Sequence, residues 1–267
     1  MTASDPVVLD SLYRTDAGLA ARQSIYRWLR HPVDMPGHAL TALRGMTGVV
    51  ADVGCGNGAY VARFAHERPD LRVLGVDLST GMLTSGHVST GHRALVAADA
   101  AALPLADGAV DAALAMHMLY HLPEPARGVA ELRRTVRPGG MVLVATNARD
   151  DKPEIEDLLS RSLVAAGAPA VRNFGPHHDF SLDAMAPILG RHFDSVEVTE
   201  WRTEIVVPEV GAVVAYIDSM RPVVEPHLPG HVGWRSVLLA TEGLTAQAVF
   251  RDGAFRITGH VGMAVCR

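Results

Sequence analysis

The stretch VVADVGCGNGAY, residues 49–60, decides the fold. Val49 to Val53 is an apolar run broken only by Asp52, as a strand buried on both faces would be. Ala59 to Glu67 then carries Val61, Phe64 and Ala65 on one side, a helical spacing. Between them Gly54, Gly56 and Gly58 form a turn that lets a ligand approach the backbone and leaves amide N–H groups free to point at it. Read alone, the loop is ambiguous. Gly54 to Ala59 also satisfies G-x-G-x-x-[GA], the dinucleotide fingerprint, and Asp77 closes the next strand where a ribose-binding acid belongs. Asp52 breaks the tie. A bare carboxylate two positions before the first glycine would oppose a pyrophosphate, and it suits a cationic or amine-bearing ligand instead.

Outward from this loop the chain alternates strands and helices. Arg72–Val76, Ala94–Ala98, Val110–Ala115 and Met141–Ala145 read as strands. Ser79–His87 and Pro125–Val136 read as helices, with Pro138-Gly139-Gly140 expected to stop the second before the fifth strand. Repeated units of this kind predict an α/β, Rossmann-like, doubly wound parallel sheet with helices on both faces. Asp52, Asp77 and Asp99 then end three strands around the crevice where open α/β sheets bind ligands. Ahead of the core, Ser11–Arg30 reads as one helix that Pro32, Pro36 and Gly37 break. After it, Pro153–Ala166 and Leu182–Leu189 read as helices, and Ser195–Val207 and Phe255–Val265 as strands. Helices at Val210–Ser219 and Trp234–Val249, with a proline-rich turn between them, fill the gap. The organisation expected is a helical cap at 1–47, a ligand-binding core at 48–206, a helical insertion at 207–250 as candidate substrate lid, and the last core strand at 251–267.

Composition narrows the function classes. With 48% hydrophobic and 20% charged residues among 267, the chain has material for a sizeable core and is not disordered. Lys+Arg is 24 against 29 Asp+Glu, so a mildly acidic chain without a basic block is a poor partner for nucleic acid or an anionic membrane. Lys152 is its one lysine. Cys55 and Cys266 make no disulfide framework, no apolar run reaches the about 18 residues that span a bilayer, and Met1 to Asp10 lacks the basic region and apolar stretch of a leader, so a cytoplasmic protein is expected.

Four stretches, VVADVGCGNGAY, VLGVDLSTGML, AADAAALPLADGAVDAALAMHMLYHL and ELRRTVRPGGMVLVAT, stand in the order and spacing of a known family. Over roughly Tyr13 to Thr146 the chain resembles the class I S-adenosylmethionine-dependent methyltransferases, in particular the small-molecule branch with the ubiquinone/menaquinone-type enzymes. The resemblance implies a seven-stranded sheet ending in an antiparallel hairpin, and S-adenosyl-L-methionine as cofactor. It implies that Gly54, Gly56 and Gly58, with Cys55 and Asn57 between them, line the methionine and ribose. Asp52 would anchor the loop or face the ligand ammonium, Asp77 would take the ribose hydroxyls, and Leu78 would pack on the adenine. Asp99 and the Ala100 N–H would hold the adenine edge, and His117 would lie near the methyl group. Tyr13 and Arg22 would close the methionine end. The long segment between the last two strands is a departure from the simplest members.

Methyl transfer from a sulfonium is a direct displacement that asks mainly for alignment, which contributes about 7–11 kcal/mol, against a factor of 10²–10⁴ for one general base. His117 is the candidate base or acceptor contact, and His121 a second, more structural candidate. Tyr120, His177, His178, Tyr216 and Trp234 are candidate acceptor contacts. His177-His178-Asp179 lacks the spaced partners of a metal site, so no metal is expected. The acceptor is expected to be a small molecule. The competing readings are a nicotinamide-dependent oxidoreductase and a non-catalytic S-adenosylmethionine-binding module.

Overall fold

The computed structural model of the chain describes residues 11–84, 94–170 and 180–267. Seven strands form one sheet: β1 (Gly48–Val53), β2 (Leu71–Asp77), β3 (Ala94–Ala97), β4 (Val110–Met116), β5 (Val136–Asn147), β6 (Val196–Val207) and β7 (Phe255–Cys266). Their order is β3-β2-β1-β4-β5-β7-β6. The first five pair in parallel, and β7 runs antiparallel to β5, with Val142 opposite Cys266 and Asn147 opposite Val261. Successive strands leave β1 in opposite directions, β2 to one side and β4 to the other. The crevice of this doubly wound sheet therefore opens at the carboxyl end of β1, where the glycine loop begins.

Two compact units make up the described residues. One is drawn from within Met1–Val33, Asp150–Gly175 and Trp201–His260, the other from within Asp34–Arg149, Pro176–Glu200 and Val261–Arg267. The second holds β1 to β5. Its core gathers Ala51, Val53, Val76, Ala113, Ala115, Val142 and Val144 from the strands, Val129 and Leu132 from helix Pro125–Thr135, and Met185 and Leu189 from helix Leu182–Leu189. Full burial of Val129 and Leu132 (0% and 1% exposed) is worth about 1.5–3 kcal/mol for each side chain. The first, helical unit packs Ile155, Leu158, Leu159 and Leu163 against Val213, Ile217, Trp234 and Val237. Thr241 ties two of its helices by donating to the Ser162 hydroxyl at 2.9 Å.

Three local expectations are corrected. Ser11–Arg30 is not one helix: Ala17–Ser24 is α-helical, Ile25–Trp28 is a 3-10 turn, and Leu29 forms a bridge with Ile205. Pro36 and Gly37 do not leave a loop. They lie in the first turn of a helix, Met35–Ala42, whose cap Asp34 accepts from the Gly37 N–H at 3.1 Å; proline is welcome there because its missing N–H would have had no partner. Pro138-Gly139-Gly140 does not precede β5 but bulges within it. Val136 already pairs with Val110, and pairing resumes at Ala112 and Met141. Among the described residues no helix is long and apolar enough to cross a membrane.

Candidate active site

The strand-to-helix turn is built on the β1 register. Asp52 lies between Gly75 of β2 and Leu114 of β4, so its side chain leaves the sheet at the switch point. The chain then folds back on β2, the Gly54 and Cys55 N–H groups both donating to the Val76 carbonyl at 2.7 and 3.0 Å. Gly54 has φ +72, and a Cβ there would stand 2.7 Å from Met118 Cβ and Cγ. Only glycine meets both conditions. Met118 thus braces the loop, a role the sequence does not disclose. Gly58, at φ +77, caps helix Ala59–Glu67.

Two carboxylates meet this turn. Asp77, the last residue of β2, accepts from the Gly56 N–H at 2.7 Å and the Ser79 N–H at 2.8 Å. Burial raises its pKa against the pull of these bonds. Asp52 is 2% exposed, and its Oδ2 has no hydrogen-bond partner among the described residues. Burial first, and the neighbouring Asp77 charge second, push its pKa up to about 7. A buried carboxylate without a partner is costly and therefore informative. Tyr60 belongs to the same neighbourhood, its phenol pushed up first by burial and then by the Asp52 charge; nothing in the sequence singled it out. Cys55 is 8% exposed, and burial followed by the charges of Asp52 and Asp77 pushes its thiol up, the opposite of a nucleophile.

Around the rim, Leu78 is 66% exposed beside the half-buried Asp77. Asp99 stands two residues past β3, exposed, its Oδ1 accepting the Ala101 N–H at 2.8 Å, and Ala100 next to it is buried. His117 follows β4 with φ +57, a left-handed backbone rare for a side chain of this size, and its N–H donates to the Ala145 carbonyl at 2.9 Å. His121 packs edge-on against Tyr120, ring centroids 4.5 Å apart, and Tyr120 is 7% exposed and part of the core.

The structure thus brings Asp52, the loop 54–58, Asp77, Leu78, Asp99, Ala100, His117, Tyr120 and His121 into one unit. Tyr13, Arg22, Tyr216 and Trp234 belong to the other. There the Arg22 guanidinium lies 5.4 Å from the Tyr13 ring centroid, and Trp234 is buried with its Nε1 donating to Asp218 at 2.7 Å. His177 and His178 lie outside the described residues.

A methyltransferase-domain family matches residues 51–144, the span from β1 to β5. The chain is 30% identical to a trans-aconitate 2-methyltransferase of Azoarcus sp. over 66% of this chain and 70% of that protein. It is 28% identical to a demethylmenaquinone methyltransferase of Renibacterium salmoninarum over 67% of this chain and 72% of that one. Other relatives are matched over only 33% and 39% of their lengths. The fold is shared with phosphoethanolamine N-methyltransferase 2 of Haemonchus contortus bound to S-adenosylhomocysteine, with TM-score 0.57, 17% identity, and coverage of 97% of this chain and 59% of that one. A sheet of this order, a glycine turn flanked by one buried and one half-buried carboxylate and these relatives agree on one assignment: the chain belongs to the class I S-adenosylmethionine-dependent methyltransferases, enzymes that use S-adenosyl-L-methionine as cofactor.

Proposed function

We propose that the chain methylates a small-molecule acceptor by direct displacement, with alignment and exclusion of water supplying most of the rate. The observation that carries this reading is Asp52, a buried carboxylate with an unpartnered oxygen beside the glycine turn. The residues fit the cofactor. A ligand bearing an ammonium and a sulfonium would relieve Asp52, whereas a pyrophosphate would aggravate it. Asp77 has about four lone-pair sites; the Gly56 and Ser79 amides take two and the Leu78 amide draws on a third, which leaves an acceptor for a ribose hydroxyl. The exposed Leu78 side chain is an apolar platform for a purine, and Asp99 keeps Oδ2 for an exocyclic amine. When bound, the cofactor supplies an electrophilic methyl group.

The chain's own part is to hold the reacting groups in line, worth about 7–11 kcal/mol. His117 is assigned to the acceptor side, as a contact or as a base for a hydroxyl or carbon nucleophile. Its left-handed backbone fixes where the ring departs from β4. Acceptor selection is assigned to the helical insertion 207–250, which lies outside the matched 51–144 span. The compounds in the names of two relatives, demethylmenaquinone and trans-aconitate, support a small acceptor.

The test is incubation with S-adenosylmethionine carrying a labelled methyl group and a metabolite extract, followed by mass spectrometry. Label should enter a low-molecular-mass product and disappear with Asp77→Ala. Label confined to protein or nucleic acid, or no heat on titration with S-adenosylhomocysteine, would overturn the reading.

A further inference from the structure

The chain's one lysine is buried. Lys152 is 6% exposed and stands at the start of helix Pro153–Ala165 with φ +57. A left-handed backbone costs about 1–2 kcal/mol for an ordinary residue and persists only where its surroundings impose it. Among 24 basic residues this is the placement least expected of a lysine, whose ammonium is strongly hydrated.

Its surroundings are chemically specific. Lys152 Nζ pairs with Asp151 Oδ2 at 2.5 Å and lies 5.4 Å from the Tyr26 ring centroid. The Tyr216 phenol is close enough to feel the charges of both Lys152 and Arg22. Arg22 Nη2 is buried and has no hydrogen-bond partner among the described residues. Asp151 pairs with Lys152, whereas no carboxylate among the described residues pairs with Arg22. The adjacent Asp150 is engaged elsewhere, with His260 Nδ1 at 2.5 Å and Arg202 at 2.9 Å. Burial by itself works against the Lys152 ammonium, but Tyr26, Asp151 and Tyr216 hold it well above the ordinary lysine range, so it stays charged.

We propose that Arg22, Tyr26, Lys152 and Tyr216 form a receptor in the helical unit for an anionic group, carboxylate or phosphate, of a small molecule. The donor set suits one. Arginine offers a planar fork, lysine has three N–H donors of which Asp151 takes one, and each phenol offers an O–H. An anion would pair the orphaned Arg22 nitrogen and neutralise the surplus positive charge in one step. Tyr26, 40% exposed, is the most exposed of the four. This receptor is separate from the residues assigned to the cofactor in the glycine-loop unit, and it does not depend on methyl transfer.

Citrate and inorganic phosphate, titrated separately at fixed ionic strength with chloride as the balancing salt, are the probes. Saturable one-to-one binding of either is expected by calorimetry, weakened at least tenfold in both Lys152→Met and Arg22→Gln. Citrate alone would identify the group as carboxylate, phosphate alone as phosphate, and either supports the receptor. Lys152→Met should bind S-adenosylhomocysteine within twofold of the parent, which separates this site from the cofactor reading. If Lys152→Met does not fold, Arg22→Gln and Tyr216→Phe carry the test, the latter with a severalfold loss. No saturable binding of either probe overturns the proposal. So does anion binding that survives Arg22→Gln while S-adenosylhomocysteine affinity falls, which would give Arg22 to the cofactor's methionine end instead.

Discussion

Replacing Asp52 by asparagine should make the ligand-free protein more stable and a poorer cofactor binder. Asp52 is 2% exposed, and its pKa is pushed from an ordinary 3.8 up to about 7, by burial first and by the Asp77 charge second. The folded chain therefore keeps this proton up to about pH 7, while the unfolded chain gives it up near pH 4. Between those values the folded state binds more protons, so stability falls as pH rises, and the full cost is reached only above pH 7. At about 1.4 kcal/mol per pH unit the gap sets a ceiling of roughly 4 kcal/mol, and relaxation around the charge reduces it to about 1–3 kcal/mol. Asparagine keeps the shape and cannot ionise.

Urea unfolding should show parent and Asp52→Asn nearly equal at pH 4, with the variant ahead by about 1–3 kcal/mol at pH 8.5 and an unchanged denaturant slope. Calorimetry should show the reverse for the ligand: S-adenosylmethionine binds at least tenfold more weakly to the variant. Below pH 7, binding to the parent should also release a proton, seen as heats that vary with the buffer's ionisation enthalpy. A stability gap that does not change with pH, or an undiminished affinity, would refute the reasoning.

Other residues give sharper local tests. Gly54→Ala places a Cβ 2.7 Å from Met118 on a backbone at φ +72; strain and overpacking together should destabilise by about 2–4 kcal/mol in thermal or urea unfolding and abolish S-adenosylhomocysteine binding. Asp77→Ala removes the acceptor of two backbone N–H groups and should cost at least about tenfold in cofactor affinity by calorimetry, since hydrogen bonds to a charged group are worth about 1.5–3 kcal/mol each. At His117, φ +57, the glycine variant should be more stable than the alanine variant by about 1 kcal/mol, because only alanine retains the left-handed penalty; equal unfolding midpoints would deny the strain. Arg134→Met should lower the urea unfolding midpoint, since the guanidinium bonds the carbonyls of Leu103 and Leu105 and two carboxylates, Glu131 and Asp107.

The parallel core could be read from the sequence because both-side-buried strands leave continuous apolar runs, and the glycine turn because three glycines in five positions have few other uses. Helix Leu182–Leu189 falls where periodicity put it. The failures share a cause, which is that proline and glycine do different things at different positions. Pro36 begins a helix, because Asp34 caps it, and Pro138 sits in a bulge, because Val110 captures Val136 before the turn. Arg134 clamps the 103–107 loop, and the sequence does not disclose it, since a contact nearly thirty residues away leaves no local pattern. Asp52 was conspicuous as a charge in an apolar strand. Its missing partner was not, because satisfaction of a buried oxygen is a property of the packed site.

The places where local rules fail are also where function is assigned, and they are few. Only His117 and Lys152 are non-glycine residues with positive φ among those described, and Asp52 Oδ2 and Arg22 Nη2 are buried side-chain atoms without a hydrogen-bond partner there. They sort by sign. Asp52 and His117 belong with the glycine turn, where the surplus buried charge is negative and the fitting ligand carries a cation. Lys152 and Arg22 belong to the helical unit, where the surplus is positive and the fitting ligand carries an anion. Neither orphaned atom, Asp52 Oδ2 or Arg22 Nη2, helps the chain to fold, since a buried polar atom without a partner is destabilising. Two opposite defects, each held in place by strained or well-packed backbone, are more simply explained by ligands that each neutralise one of them than by packing error.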